Sequence, residues 1–140
     1  MQITIRPYHE KDGDDVIALW RRCGLVVPQN DPYADIQHKT DFQPDLFLVG
    51  LDADGHLMAT VMAGYEGHRG WINYLAVSPA IRRRGVGGQM MAAAEERLKL
   101  LGCPKINLQV RRPNRDAIAF YQRLGFTEDN VISLGKRLAR

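Results

Sequence analysis

The sequence predicts a single α/β (α+β) domain, 1–140, with a mixed, mostly antiparallel central sheet of six to seven strands flanked by about four helices. Three observations lead there. Two short turns, Asp52-Ala53-Asp54-Gly55 and Gly67-His68-Arg69-Gly70, separate three apolar runs in mid-chain, as consecutive hairpins do. A strand-like run, Trp71 to Val77, passes through a glycine-rich turn into a long helical pattern that reaches Leu101. Beyond it, strand and helix patterns alternate, which calls for crossovers rather than hairpins.

Taken in order, Gln2 to Arg6 alternates, with Ile3 and Ile5 on one face, and is a first strand. A helix follows from about Asp12 to Arg22. Val16, Leu19, Trp20 and Cys23 form its apolar stripe, Asp14 and Asp15 suit its N-terminal dipole, and Gly24 is its stop. Asn30-Asp31-Pro32 provides an N-cap and a first-turn proline for a short helix to about Lys39. Trp20, Val26, Val27, Tyr33 and Phe42 either seat this helix on the sheet or line an acceptor pocket. Asp45 to Leu51 and Leu57 to Tyr65 are strands joined by the Asp-Gly turn. After the long helix, Gly102 is the C-cap and Pro104 prevents continuation. Lys105 to Arg111 alternates as a strand, and Pro113-Asn114 opens a helix with Ala117, Phe120, Tyr121 and Leu124 on one face. Gly125 ends that helix, and Phe126 and Val131 to Leu138 supply one or two closing strands. The order is β-α-α-β-β-β-α-β-α-β, with room for one more strand.

Composition narrows the function. The chain has 140 residues, 45% of them hydrophobic and 25% charged, which is ordinary for a soluble globular protein. No apolar run approaches the roughly 20 residues of a membrane span. The N-terminus carries charges where a signal peptide would be apolar. A cytoplasmic protein without a membrane partner, monomeric or homodimeric, is therefore expected. Cys23 and Cys103 are free thiols by default. The histidines His9, His38, His56 and His68 show no ligand spacing, so no metal is expected. A net charge of +3 suits an anionic ligand. It does not by itself argue for nucleic acid, and the Arg82–Arg84 cluster lacks the aromatic interleaving of a nucleic-acid surface.

The strongest chemical signal lies between Trp71 and Leu101. A strand, a turn of Arg82-Arg83-Arg84-Gly85-Val86-Gly87-Gly88 and a helix form a phosphate-binding arrangement. The glycines let a phosphate approach the backbone, and free N–H groups and the helix dipole favour its charge. The Walker pattern is absent, and Met90 occupies the position where a dinucleotide fingerprint needs a small residue. Arg/Gln-x-x-Gly-x-Gly/Ala is met, through Arg82, Gly85 and Gly87.

That hexapeptide resembles the acetyl-CoA pyrophosphate loop of the GNAT superfamily of N-acetyltransferases. The segment Asn114 … Ala117 … Tyr121 … Gly125-Phe126 is similar to a second signature of the superfamily, and the order of elements resembles its fold. GYEGHRG at 64–70, LAVSP at 75–79, GCPKI at 102–106 and SLGKRL at 133–138 resemble the small bacterial YpeA-type branch. The resemblance implies an acyltransferase with acetyl-CoA as cosubstrate and an amine acceptor, small molecule or protein, attacked directly in a ternary complex. It implies that the backbone of Leu75, Ala76 and Val77 holds the pantetheine arm, that Arg83 to Gly88 hold the pyrophosphate with Arg82 beside them, and that Asn114 reaches the cofactor. Tyr121 would touch the cofactor near its sulfur and act as general acid. A backbone N–H near Val77 would polarise the thioester carbonyl.

One departure stands out. Where the branch that acetylates protein N-termini has a glutamate base, this chain has Gln109, and an amide accepts no proton near neutral pH. Glu66 and His68 are the alternative candidates for the base. The rival readings are a protein N-terminal or lysine acetyltransferase, and a CoA-binding sensor that no longer catalyses.

Overall fold

The computed structural model describes residues 1–139. The chain divides into two compact units, Met1–Leu108 and Gln109–Arg140. The first holds a five-stranded sheet in the order β1-β2-β3-β4-β5, with β1 Thr4–Pro7, β2 Phe47–Leu51, β3 Leu57–Tyr65, β4 Gly70–Val77 and β5 Ile106–Asn107. The first four strands pair antiparallel, and β5 joins β4 in parallel. Helices α1 (Gly13–Arg22), α2 (Pro32–Phe42) and α3 (Val86–Leu100) belong to this unit, and α4 (Arg115–Arg123) to the second.

The mixed sheet and the four α-helices agree with the expectation, but the described residues contain five strands rather than six to seven. The strand expected over 105–111 is reduced to β5, and no strand forms over 126–138. Val131, Ile132, Leu134 and Leu138 are all exposed there. An alternating pattern makes a strand only where a neighbour accepts its ladder of hydrogen bonds, and these residues have none among those described.

The strands alternate between two apolar layers, as a two-residue period requires. Phe47 and Val49 of β2 pack with Val16, Ile17, Leu19 and Trp20 of α1 and with Ile36 of α2. Gly50, next in the strand, faces α3, where an added Cβ would lie 2.9 Å from the Met90 sulfur. On α3, Val86, Met90, Met91, Ala94 and Leu98 are buried. Leu101, which the helical pattern in the sequence reaches, is exposed because the helix ends at Leu100 and Gly102 turns the chain away at φ 83°.

Helix α2 starts where the sequence places it. The Asp31 side chain accepts from the N–H groups of Tyr33 and Ala34, and Pro32 fills the first turn. Of the two expected roles, seating the helix on the sheet does not hold for Tyr33 and Phe42, which are 56% and 69% exposed. Ile36 and Lys39 face inward instead. The Gln43 amide then clamps the end of β3, accepting from Tyr65 N–H at 3.1 Å and donating to Tyr65 C=O at 3.0 Å.

Lys39 Nζ donates to Gln43 Oε1 at 3.3 Å. Burial disfavours its charged form and pushes the amine down from its ordinary 10.5 to about 8. Between those values the unfolded chain binds the proton that the folded chain releases, so folding stability rises with pH across that window. The penalty for burying Lys39 is present in full below it. Lys39→Met is therefore expected to raise the urea midpoint near pH 7, by an amount equivalent to about 1 kcal/mol. The advantage over wild type should shrink as the pH approaches 10. Urea titrations of both proteins at several pH values check this, and a pH-independent difference would contradict it.

Candidate functional site

The glycine turn follows directly from β4. Ser78 Oγ accepts from Ala80 N–H at 3.4 Å, and a single 3₁₀ turn, Pro79–Ile81, leads to the arginines. Arg83 takes φ 66° and Gly85 takes φ 79°, both left-handed. For arginine this conformation costs about 1 kcal/mol or more. Successive left-handed turns point backbone N–H groups into a concave surface suited to an anion.

Arg82, Arg83, Arg84 and Gly85 are exposed, Val86 is buried as the first residue of α3, and Gly87 and Gly88 are half-buried. No ion pair neutralises the three arginines among the described residues. No side chain caps the helix at Gly85, so the first N–H groups of α3 stay available. A Cβ added at Gly85 or Gly88 would meet nothing within 4 Å, which leaves room for a bulky anion against the backbone.

The edge of β4 turned away from β3 is the second component. β5 pairs only with Gly70 and Trp71, so the remainder of β4 has no strand on that side among the described residues. Leu75 and Val77 are half-buried there, and Ala76 is buried. The Val77 carbonyl accepts from the Cys23 thiol at 3.4 Å, a weak donor that an amide N–H would readily displace.

Between these residues β4 carries a bulge that sequence reasoning missed. The register shifts by one between Thr60↔Ala76 and Met62↔Asn73, so Tyr74 and Leu75 together oppose Val61. Tyr74 takes φ 51°. Its ring stacks on Trp20 with centroids 3.8 Å apart, and its hydroxyl donates to Asp35 Oδ2 at 2.5 Å. Burial and the Asp35 carboxylate together push its phenol well above the usual range. A strand-forming tyrosine gives no local sign of a bulge, and Asp35 lies 39 residues away in the chain.

Glu66 and His68 occupy the β3–β4 turn, at the end of β4 far from the glycine turn. Both are exposed. The Glu66 carboxylate accepts from the N–H groups of His68 and Arg69, so it holds the turn. Another turn gathers Asp52, Asp54 and His56, whose potential ligand atoms lie within 4.8 Å of one another. There Asp52 Oδ1 is engaged by the N–H groups of Asp54 and His56.

In the second unit, Asn114 caps α4 by accepting from Ala117 N–H at 3.2 Å. Tyr121 meets Phe120 and Phe126 edge-on, with centroids 5.0 Å and 5.6 Å away. Burial pushes its phenol up to about 12. The Gln109 side chain donates to Ser133 Oγ.

The profile of the acetyltransferase (GNAT) family matches residues 13–126. The chain belongs to the GNAT family. An acetyltransferase of Sodalis glossinidius (strain morsitans), SG1711, is 44% identical over 137 residues, 97% of this chain and 96% of the relative. Among solved structures, Ard1 from Thermoplasma volcanium superposes with a TM-score of 0.76 at 25% identity, over 91% of this chain and 84% of that one. PaiA N-acetyltransferase from Thermoplasma acidophilum, solved in complex with coenzyme A, gives 0.78 at 20% identity over 94% of both chains. As a GNAT protein, the chain is an acyltransferase that moves acetyl groups.

The turn-holding geometry of Glu66 leads to a prediction. Glu66→Gln keeps an accepting oxygen and is expected to leave acetyl transfer within about three-fold of wild type. Glu66→Ala leaves the turn N–H groups to water and should cost up to about 1 kcal/mol of stability. Steady-state rates and thermal melts of the two variants check this. A large loss of kcat in both, with normal melts, would instead make Glu66 the base.

Proposed function

We propose that the protein transfers an acetyl group from acetyl-CoA to a primary amine by direct attack in a ternary complex. The observation that carries this reading is the continuity of the open edge of β4 with the arginine–glycine turn and the uncapped start of α3. An extended arm carrying amide groups can lie along Leu75–Val77 as an added strand does. Its pyrophosphate then meets the N–H groups from Arg83 to Gly88 and the nearby arginines. The GNAT membership and the CoA complex of the PaiA enzyme support the same cosubstrate.

The cosubstrate supplies an activated acetyl group on a thiolate leaving group. The protein's part is to align an uncharged amine with it, polarise the acetyl oxygen and assist the departing sulfur. Tyr121 takes the last role in this reading. With its phenol near 12, full proton transfer to a thiolate of pKa ~8.5 is uphill by several kcal/mol, so Tyr121 serves as a hydrogen-bond donor to developing charge. Asn114, already the cap of α4, adds a contact to the arm. Gln109 cannot deprotonate the amine, so water or a group on the acceptor side performs that step. The acceptor, a small molecule or a protein amine, is the finer assignment.

Two measurements test the reading. Gly87→Leu should weaken CoA binding at least about ten-fold in calorimetry, with the thermal melt unchanged. Equal affinity, or no CoA binding by wild type, would remove the cofactor assignment. Tyr121→Phe keeps the ring and its packing. At saturating acetyl-CoA it should lower kcat by roughly 10- to 100-fold, the low side of general-acid contributions, with CoA affinity preserved. An unchanged kcat, with chemistry shown to limit the rate, would make Tyr121 a packing residue only.

A further inference from the structure

The bulge in β4 is held by a hydrogen-bond relay in which every proton has an assigned direction. Trp20 Nε1 lies 2.9 Å from Thr60 Oγ1, and both residues are fully buried. An indole N–H can only donate, so Thr60 Oγ1 accepts from it. A hydroxyl has one proton, and that of Thr60 goes to the Tyr74 carbonyl at 2.8 Å. Tyr74 is therefore fixed at its ring by the Trp20 stack, at its hydroxyl by Asp35 and at its carbonyl by Thr60. These ties hold it at φ 51°.

The relay has a consequence one atom further along. No peptide bond in the chain is cis. In a planar trans peptide the N–H points opposite to the preceding carbonyl. Since the Tyr74 carbonyl is drawn toward Thr60 of β3, the Leu75 N–H is turned away from β3, toward the open edge of β4. An extended β4 without the bulge would place no such constraint on this amide. A left-handed non-glycine residue within a strand is the kind of strain that persists only where surroundings enforce it, and such strain clusters at functional sites.

We propose that Trp20 and Thr60 are positioning residues for acetyl transfer, aiming the Leu75 N–H at the carbonyl oxygen of the bound thioester. The inference rests on the proposed acetyl-CoA reading, in which a backbone N–H of β4 polarises the thioester carbonyl, and adds to it the side chains that set the direction of that donor. A donor fixed before the reaction needs no reorientation as charge develops on the oxygen. Neither Trp20 nor Thr60 touches the reacting atoms. They act through the Tyr74–Leu75 peptide.

The test uses Thr60→Val, which keeps the shape and removes the hydroxyl, and Thr60→Ser, which restores the hydroxyl. In Thr60→Val, kcat should fall roughly 10- to 100-fold, within or below the loss for deleting one oxyanion donor, while the Kd for CoA changes less than about three-fold. Thr60→Ser should stay within a few-fold of wild type. The carbonyl stretch of ¹³C-labelled acetyl-CoA should be lowered in the wild-type complex and return toward its free value in Thr60→Val. A folded Thr60→Val with unchanged kcat and an unchanged carbonyl stretch would overturn the proposal.

Wild-type protein alone provides a second check, independent of whether Thr60→Val folds. The Leu75 amide proton should shift downfield when the methyl-ketone analogue of acetyl-CoA replaces CoA, and no difference between the two complexes would also overturn the proposal. Wild type that binds CoA and transfers acetyl groups, yet fails these checks, would remove the relay and leave the proposed function standing. Wild type that binds no CoA would remove both.

Discussion

One residue too many in β4 constrains much of the first unit. Placing Tyr74 and Leu75 together against Val61 breaks the ladder inside the sheet, where an unpaired carbonyl is costly. The left-handed Tyr74 adds about 1–2 kcal/mol of backbone strain. Both costs are offset from α1. The indole of Trp20 supplies a flat surface for the Tyr74 ring and, through Thr60, a donor for its carbonyl. Helix α1 therefore contributes more than apolar area. Its one indole has to sit over Thr60, which fixes how the helix lies on the sheet, and Phe47 also stacks with Trp20, with ring centroids 6.1 Å apart.

β4 also separates two kinds of turn. One end runs into the exposed arginines and the uncapped start of α3, where backbone donors have no internal partner. The other end begins at the Glu66 turn, where the backbone donors are already satisfied by a side chain. At about 3.3 Å per residue the two lie roughly 20 Å or more apart. Backbone donors are thus spent at one end of the strand and kept available at the other. Such free donors favour an anionic group at the end where they remain.

Much of this was legible in the sequence because it is encoded locally. Asp31-Pro32 starts α2, and Gly24, Gly55, Gly102 and Gly125 all take positive φ where a turn or helix stop was expected. The arginine–glycine turn lies between a strand and a helix, as its composition indicates. What escaped notice depends on partners distant in sequence. Tyr74 is an unremarkable strand residue until β3 is paired with it, and Thr60 and Asp35 acquire their roles only through that pairing. The expected strand at 131–138 failed for a related reason, since alternation defines two faces but supplies no neighbour. Tyr33 and Phe42 do not seat α2 on the sheet because α2 has no single apolar stripe, and hydrophobicity alone did not indicate which residues turn inward.

The unpartnered side of β4 has a consequence for the protein in the absence of any ligand. A strand edge with no neighbouring strand is a template for any extended chain, including one from another molecule, and association through such edges leads to aggregation. The sequence limits this hazard at both ends of the exposed stretch. β5 closes the edge at Gly70 and Trp71, and Ser78-Pro79 stops it after Val77, since proline offers no donor to extend a ladder. The three arginines that follow place uncompensated positive charge beside the gap, and two copies approaching there repel each other. The same short, charged opening that is proposed to take an anionic cosubstrate thereby works against self-association while it is empty.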